Sequence, residues 1–141
     1  MKLELMLNFN GDCKQAGELY SSVFGVTHNN IMTFAEAPAN PEYPVADMDK
    51  DKILYSDITL AGMFVMLMDM PEGTPYVVGN NMSPCLSLDD REEITRIFNA
   101  LAVGGEVLMP LSQTFFSEMY GMVKDPFGVI WQILYYEREE E

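Results

Sequence analysis

Cysteine, histidine and positive charge are all scarce in this chain. Of its 141 residues two are cysteine and one is histidine, and eight Lys and Arg stand against 22 Asp and Glu, for a net charge of -14. Cys13 and Cys85 lie far apart with no CxxC spacing. That argues against a disulfide framework or a zinc site and points to a reducing, cytoplasmic compartment. The shortage of cations makes a polyanion a poor partner, so no nucleic acid and no acidic membrane surface is expected as a target. Long apolar runs are missing too. The longest strongly apolar stretch is Met63 to Met68, far short of the roughly 20 residues that span a bilayer. Met1-Lys2-Leu3-Glu4 has no charged leader ahead of a long apolar core, so no secretory signal is expected. Disorder is excluded as well: 48% of the residues are hydrophobic and 21% charged, an ordinary balance for a globular chain.

The chain reads as two similar halves. Leu3 to Phe9 has strand character, and Asn10-Gly11-Asp12 breaks it. Cys13, Ala16, Leu19, Tyr20, Val23 and Phe24 then recur at helical spacing, with Asp12 as the expected N-cap and Gly25 as the stop. Val26 to Phe34 reads as a strand, and residues 35–50, with Pro38, Pro41 and Pro44, as a surface loop. Ile53 to Leu60 and Met63 to Met70 form a hairpin through Ala61-Gly62. Met63 to Met68 lacks polar alternation, which predicts a strand covered on both faces. Residues 71–81, rich in Pro, Gly and Asn, read as a linker. The order then repeats: a strand at Met82 to Leu88, a capping pair Asp89-Asp90, and a helix whose Ile94, Ile97, Phe98 and Leu101 share one face. Gly104-Gly105 ends it, and strands follow at Glu106 to Leu111, Met119 to Lys124 and Val129 to Tyr136. The expected organisation is a first βαβββ module at 1–70, a linker at 71–81, a second module at 82–136 and an acidic tail at 137–141. The class is α+β, with the modules forming a curved mixed sheet around a cleft and helices on the outer face. Such a cleft is where a small ligand would bind.

These features resemble the glyoxalase / bleomycin-resistance / dihydroxybiphenyl dioxygenase fold, the vicinal oxygen chelate superfamily, and within it the PhnB-like branch. The resemblance rests on Asn8-Phe9-Asn10-Gly11-Asp12-Cys13 with Ala16, Tyr20 and Phe24-Gly25, and on Tyr120 to Trp131 with its Asp125-Pro126-Phe127-Gly128 turn. It covers essentially the whole chain and implies a homodimer. The branch has often carried a 3-demethylubiquinone 3-methyltransferase label. No glycine-rich loop follows a strand here, as a nucleotide-type cofactor would need.

The superfamily's enzymes bind a divalent ion through His and Glu from both modules. The resemblance places those ligand slots at Leu5 (or its neighbours Glu4 and Met6), at Met82 or Ser83, and at Gln132. The fourth strand offers no donor until Asp69. Leucine has no lone pair to give, and a neutral amide is a poor ligand beside imidazole or carboxylate. No metal and no other cofactor is therefore expected.

Outside those slots, His28 reads as a solvent-facing strand residue and Cys13 as a packed small hydrophobe. Asp125 to Gly128 reads as a turn, and Trp131 as a core aromatic. Tyr55 and Asp57 alternate with Leu54 and Ile58, so they share a face, which meets a ligand if it is the concave one and is solvated otherwise. The leading expectation is a metal-independent binder of an unknown small molecule, its cleft lined by Asn8, Tyr55, Asp57, Met66, Met68 and Gln132. Acidic charge with aromatic and thioether groups suits a cationic or amphipathic ligand. One alternative is a metal-dependent lyase, isomerase or dioxygenase with an altered set, Glu4, Asp57, Asp69 and Gln132. The other is an interaction protein with no ligand.

Overall fold

The computed structural model describes residues 1–139; Glu140 and Glu141 of the expected acidic tail lie outside the described residues. The chain divides into two compact units, Met1–Tyr76 and a second that begins at Val77. Each follows the order strand, helix, strand, strand, strand, as the two tandem βαβββ modules require.

The first module holds β1 (Leu5–Phe9), α1 (Cys13–Phe24), β2 (Asn29–Thr33), β3 (Ile53–Leu60) and β4 (Met63–Asp69), with a short 3-10 helix at Asp47–Asp49. Its four-stranded mixed sheet runs β1-β4-β3-β2, β1 parallel to β4 and the other pairs antiparallel. The second module repeats this with β5 (Cys85–Leu88), α2 (Arg91–Ala102), β6 (Glu106–Ser112), β7 (Tyr120–Lys124) and β8 (Ile130–Tyr135). Its sheet runs β5-β8-β7-β6, again with one parallel pair.

The amphipathic stripes drive this arrangement. Cys13, Ala16, Tyr20 and Val23 are buried along α1, and Ile94, Ile97, Phe98 and Leu101 along α2. Each helix packs on one face of its own sheet, where period-two alternation supplies Phe9, Ile58, Val65 and Leu67 in the first module and Val123, Trp131 and Ile133 in the second. The strand β4 is not covered on both faces as expected. Val65, Leu67 and Asp69 are buried, whereas Phe64, Met66 and Met68 on the other face are half-buried. Several strands are shorter than the sequence suggests, β2 and β5 by the most. β2 begins at Asn29, and within it Asn30 takes positive φ (54°) and register shifts break the ladder with β3. β5 begins after Pro84, which has no N–H to donate; its carbonyl instead accepts from the Gln132 amide.

The caps differ between the modules. Asp90 caps α2, its side chain accepting from Glu93 N at 3.1 Å. Asp12 occupies the N-cap position of α1 but makes no side-chain cap. Asp69 takes that role. One of its oxygens accepts from Gly11 N (2.8 Å) and Cys13 N (3.0 Å), and the other from Ile53 N (2.9 Å). The second module has a counterpart in Asp125, which accepts from Phe127 N, Val129 N and the Trp131 indole N–H. Both carboxylates are 2% exposed; from inside, Asp69 ties loop, strand and helix start together, and Asp125 ties its turn to β8. Among the described residues no helix is long and apolar enough to cross a membrane.

Candidate functional site

Strand alternation decides which side chains in the first module can meet a ligand. The face toward α1 is fixed by Ser56, whose Oγ lies 3.8 Å from Cys13 Sγ, and by Phe9, whose ring stands 6.4 Å from that of Tyr20. Their neighbours in sequence, Tyr55, Asp57 and Asn8, therefore point to the opposite face. The register pairs Asp57 with Met66 and Asn8 with Met68, so both methionines join them. Five of the six residues expected at the cleft thus share one surface, the face of the first sheet turned away from α1.

Asp57 dominates that surface. It is 4% exposed, and one carboxylate oxygen accepts from Tyr55 Oη at 3.0 Å and Asn30 Nδ2 at 2.9 Å. Among the described residues no Lys or Arg pairs with it. Burial and the Asp57 carboxylate push the Tyr55 phenol above its ordinary range, with Glu4 adding to the effect, so Tyr55 remains a donor at neutral pH. Asn30 was not foreseen as part of this group. Its signal in the sequence is the pair Asn29-Asn30, since asparagine tolerates positive φ where other side chains do not.

Gln132 lies in the other module, on the face of the second sheet turned away from α2. It pairs with Cys85 and Met122 across the ladder. Its amide is already engaged at both ends: Tyr120 Oη donates to Oε1 at 2.7 Å, and Nε2 donates to Ser83 Oγ at 2.7 Å.

The superfamily's divalent ion does not fit these residues. Leu5 faces the helix side and has no lone pair, Met6 offers only a thioether, and Gln132 and Ser83 are bonded to each other. Asp69 is not available for the altered set with Glu4, Asp57 and Gln132. It points to the opposite face of the sheet from Asp57, and backbone N–H groups occupy both its oxygens. Glu4 pairs with Lys2 at 2.5 Å. Among the described residues no three His, Cys, Asp or Glu side chains gather as a metal site would need.

The remaining candidates separate clearly. His28 is not solvent-facing. It packs against Gly17 of α1 so closely that a Cβ there would lie 2.2 Å from Nδ1, and its Nε2 is buried without a hydrogen-bond partner. Burial pushes its pKa below the ordinary value against the pull of Asp57 and Glu18. Cys13 is fully buried, and burial pushes its thiol up to about 12, which leaves no nucleophilic thiolate at neutral pH. Cys85 is exposed. Trp131 is buried on the α2 side of its sheet, as a core aromatic.

Comparison with known proteins agrees with this architecture. A family model described as 3-demethylubiquinone-9 3-methyltransferase matches residues 1–134. The crystal structure of protein PA1353 from Pseudomonas aeruginosa is similar, at 33% identity over 98% of this chain and 99% of that one, with a TM-score of 0.87. A PhnB protein from Bacillus cereus is 26% identical over 96% of this chain and 100% of that one, at a TM-score of 0.79. The fosfomycin resistance protein FosX from Listeria monocytogenes shares the fold, at 10% identity over 95% and 91% of the two chains and a TM-score of 0.65.

Proposed function

The chain belongs to this PhnB-like family of the glyoxalase superfamily, and from that premise we propose that it binds a small organic cation without a metal. The ligand sits on the face of the first sheet that carries Asn8, Tyr55, Asp57, Met66 and Met68.

One observation carries the reading. Asp57 is a carboxylate 4% exposed with neutral donors on one oxygen only and no basic partner among the described residues. A buried charge is costly until something offsets it. A primary or secondary ammonium would donate to the remaining oxygen and neutralise the charge. Tyr55 and Asn30 hold the carboxylate in place for that contact, and Met66 and Met68 give polarisable apolar surface to the ligand's body. Pairing a charged donor with this carboxylate is worth about 1.5–3 kcal/mol, or roughly 10–100-fold in affinity.

The test is calorimetric titration with 2-phenylethylammonium, its neutral counterpart 2-phenylethanol and the anion 3-phenylpropionate. Binding of the ammonium alone, weakened tenfold or more in Asp57→Asn, supports the proposal. Equal binding of all three, an unchanged affinity in Asp57→Asn, or no binding of any would overturn it, the last in favour of an interaction protein.

A further inference from the structure

A second surface, entirely within the second module, has the chemistry of a separate binding site. The loop between β6 and β7 folds against the end of β8 and borders an open surface cavity of about 430 Å³, lined by Phe115, Phe116, Glu118, Tyr135, Tyr136 and Glu137 among others. That volume falls within the range of small-molecule pockets. None of the described lining residues is basic. We propose that this cavity binds N-methylated organic cations, of the quaternary ammonium class.

The aromatic groups are present without an evident structural need. Phe115 is fully exposed, and Phe116 and Tyr136 are largely exposed. The rings touch one another: Phe115 meets Phe116 edge-on at 5.2 Å, and Phe116 meets Tyr120 edge-on at 5.1 Å. The loop beneath them is pinned. Ser117 Oγ lies 2.7 Å from the Tyr135 carbonyl and 2.9 Å from that of Met119, and Thr114 N donates to the Ser117 carbonyl. The backbone that carries the rings is therefore held in place, which reduces the entropy lost there on binding.

The wall already holds one cation of its own. The Arg91 guanidinium stands 4.4 Å from the centroid of the Tyr135 ring and pairs with Glu118. Arg91 thus already occupies the Tyr135 ring and Glu118, and a ligand would use the remaining groups. Those groups are Phe115, Phe116, Tyr136 and Glu137, again aromatic and acidic. The Ser117 hydroxyl is engaged with the backbone, and the rings share the lining with Gln113, Thr114 and two carboxylates. Ring faces favour a weakly hydrated, N-methylated cation over a primary ammonium. On the Asp57 surface, by contrast, the carboxylate is buried and its open oxygen favours an N–H donor.

The probe is benzyltrimethylammonium, titrated into 15N-labelled protein, with benzyl alcohol and phenylacetate as neutral and anionic controls. The expected result is shifts centred on residues 113–118 and 134–137, seen with the cation alone. Phe116→Ala should weaken binding about fivefold, the size of one cation–π contact, and Glu137→Gln about twofold, while Asp57→Asn leaves it unchanged. Both cavity substitutions fall at exposed positions, so the fold persists and is checked by the unshifted remainder of the spectrum. The proposal fails if the controls shift the same residues equally. It also fails if no shift centres on the cavity, if Phe116→Ala binds as the parent does, or if Asp57→Asn abolishes the effect.

Discussion

Replacing Asp69 by alanine should be among the most damaging single substitutions in the first module. The carboxylate accepts from Gly11 N, Cys13 N and Ile53 N at 2.8, 3.0 and 2.9 Å. Hydrogen bonds to a charged acceptor contribute about 1.5–3 kcal/mol each, but the three share one anion and do not add in full. Water can reach Gly11 N, which is part-buried, whereas the bonds to Cys13 N and Ile53 N are buried. Two donors left without partners in the interior set the expected loss at about 3–5 kcal/mol, out of a total near 5–15 kcal/mol for a domain. With a slope near 2 kcal/mol/M, the urea midpoint followed by far-UV circular dichroism should fall by about 1.5–2.5 M. Asp69→Asn keeps one oxygen but turns an N–H₂ toward a backbone donor, so its cost should lie between the parent and alanine. Asp12→Ala, at the position the sequence nominates as the cap, should change stability by less than about 0.5 kcal/mol, because its side chain makes no cap. The reasoning is refuted if Asp12→Ala costs more than Asp69→Ala.

The pH dependence of stability between pH 5 and 7 should come from His28, the single histidine. Burial lowers its folded pKa, so the unfolded chain takes up the proton first as the pH falls below about 6.5. Stability should be flat above that value and decline below it, and His28→Gln should flatten the decline in thermal melts; a parallel decline in the variant would refute the assignment. Iodoacetamide at pH 8 should label the exposed Cys85 within minutes and leave Cys13, buried with its thiol pushed up to about 12, unmodified until urea is added. Peptide mass mapping reads both, and native labelling of Cys13 at a comparable rate would contradict its burial.

Periodicity alone located the helices and the hairpin. The buried stripes of α1 and α2 fall on the positions that three- and four-residue spacing selects, and β3 runs from Ile53 to Leu60 as read from the chain. Alternation also placed Tyr55 with Asp57, but it could not say which face α1 would cover; that depends on Phe9 and Ser56 meeting the helix. The role of Asp69 was beyond local reading, since its partner Gly11 lies 58 positions away and nothing near Asp69 marks it as a helix cap. Asp12, adjacent to the helix, has the right side chain but a backbone conformation (φ −113°, ψ 20°) that makes no cap. Asp125 was legible as a turn residue, whereas its bond to the Trp131 indole was not. Nothing in the sequence marks the Phe115–Phe116 cavity, because its lining joins an aperiodic loop to the distant end of β8.

The parallel pairing of β1 with β4 imposes an order on biosynthesis. Phe9 finds its partner only at Asp69, which also completes the start of α1. At 5–20 residues per second, a ribosome needs roughly 3–12 s to deliver the second after the first. For that interval the earliest-made strand and helix, within about the first sixth of the polypeptide, have their apolar stripes unshielded by β4.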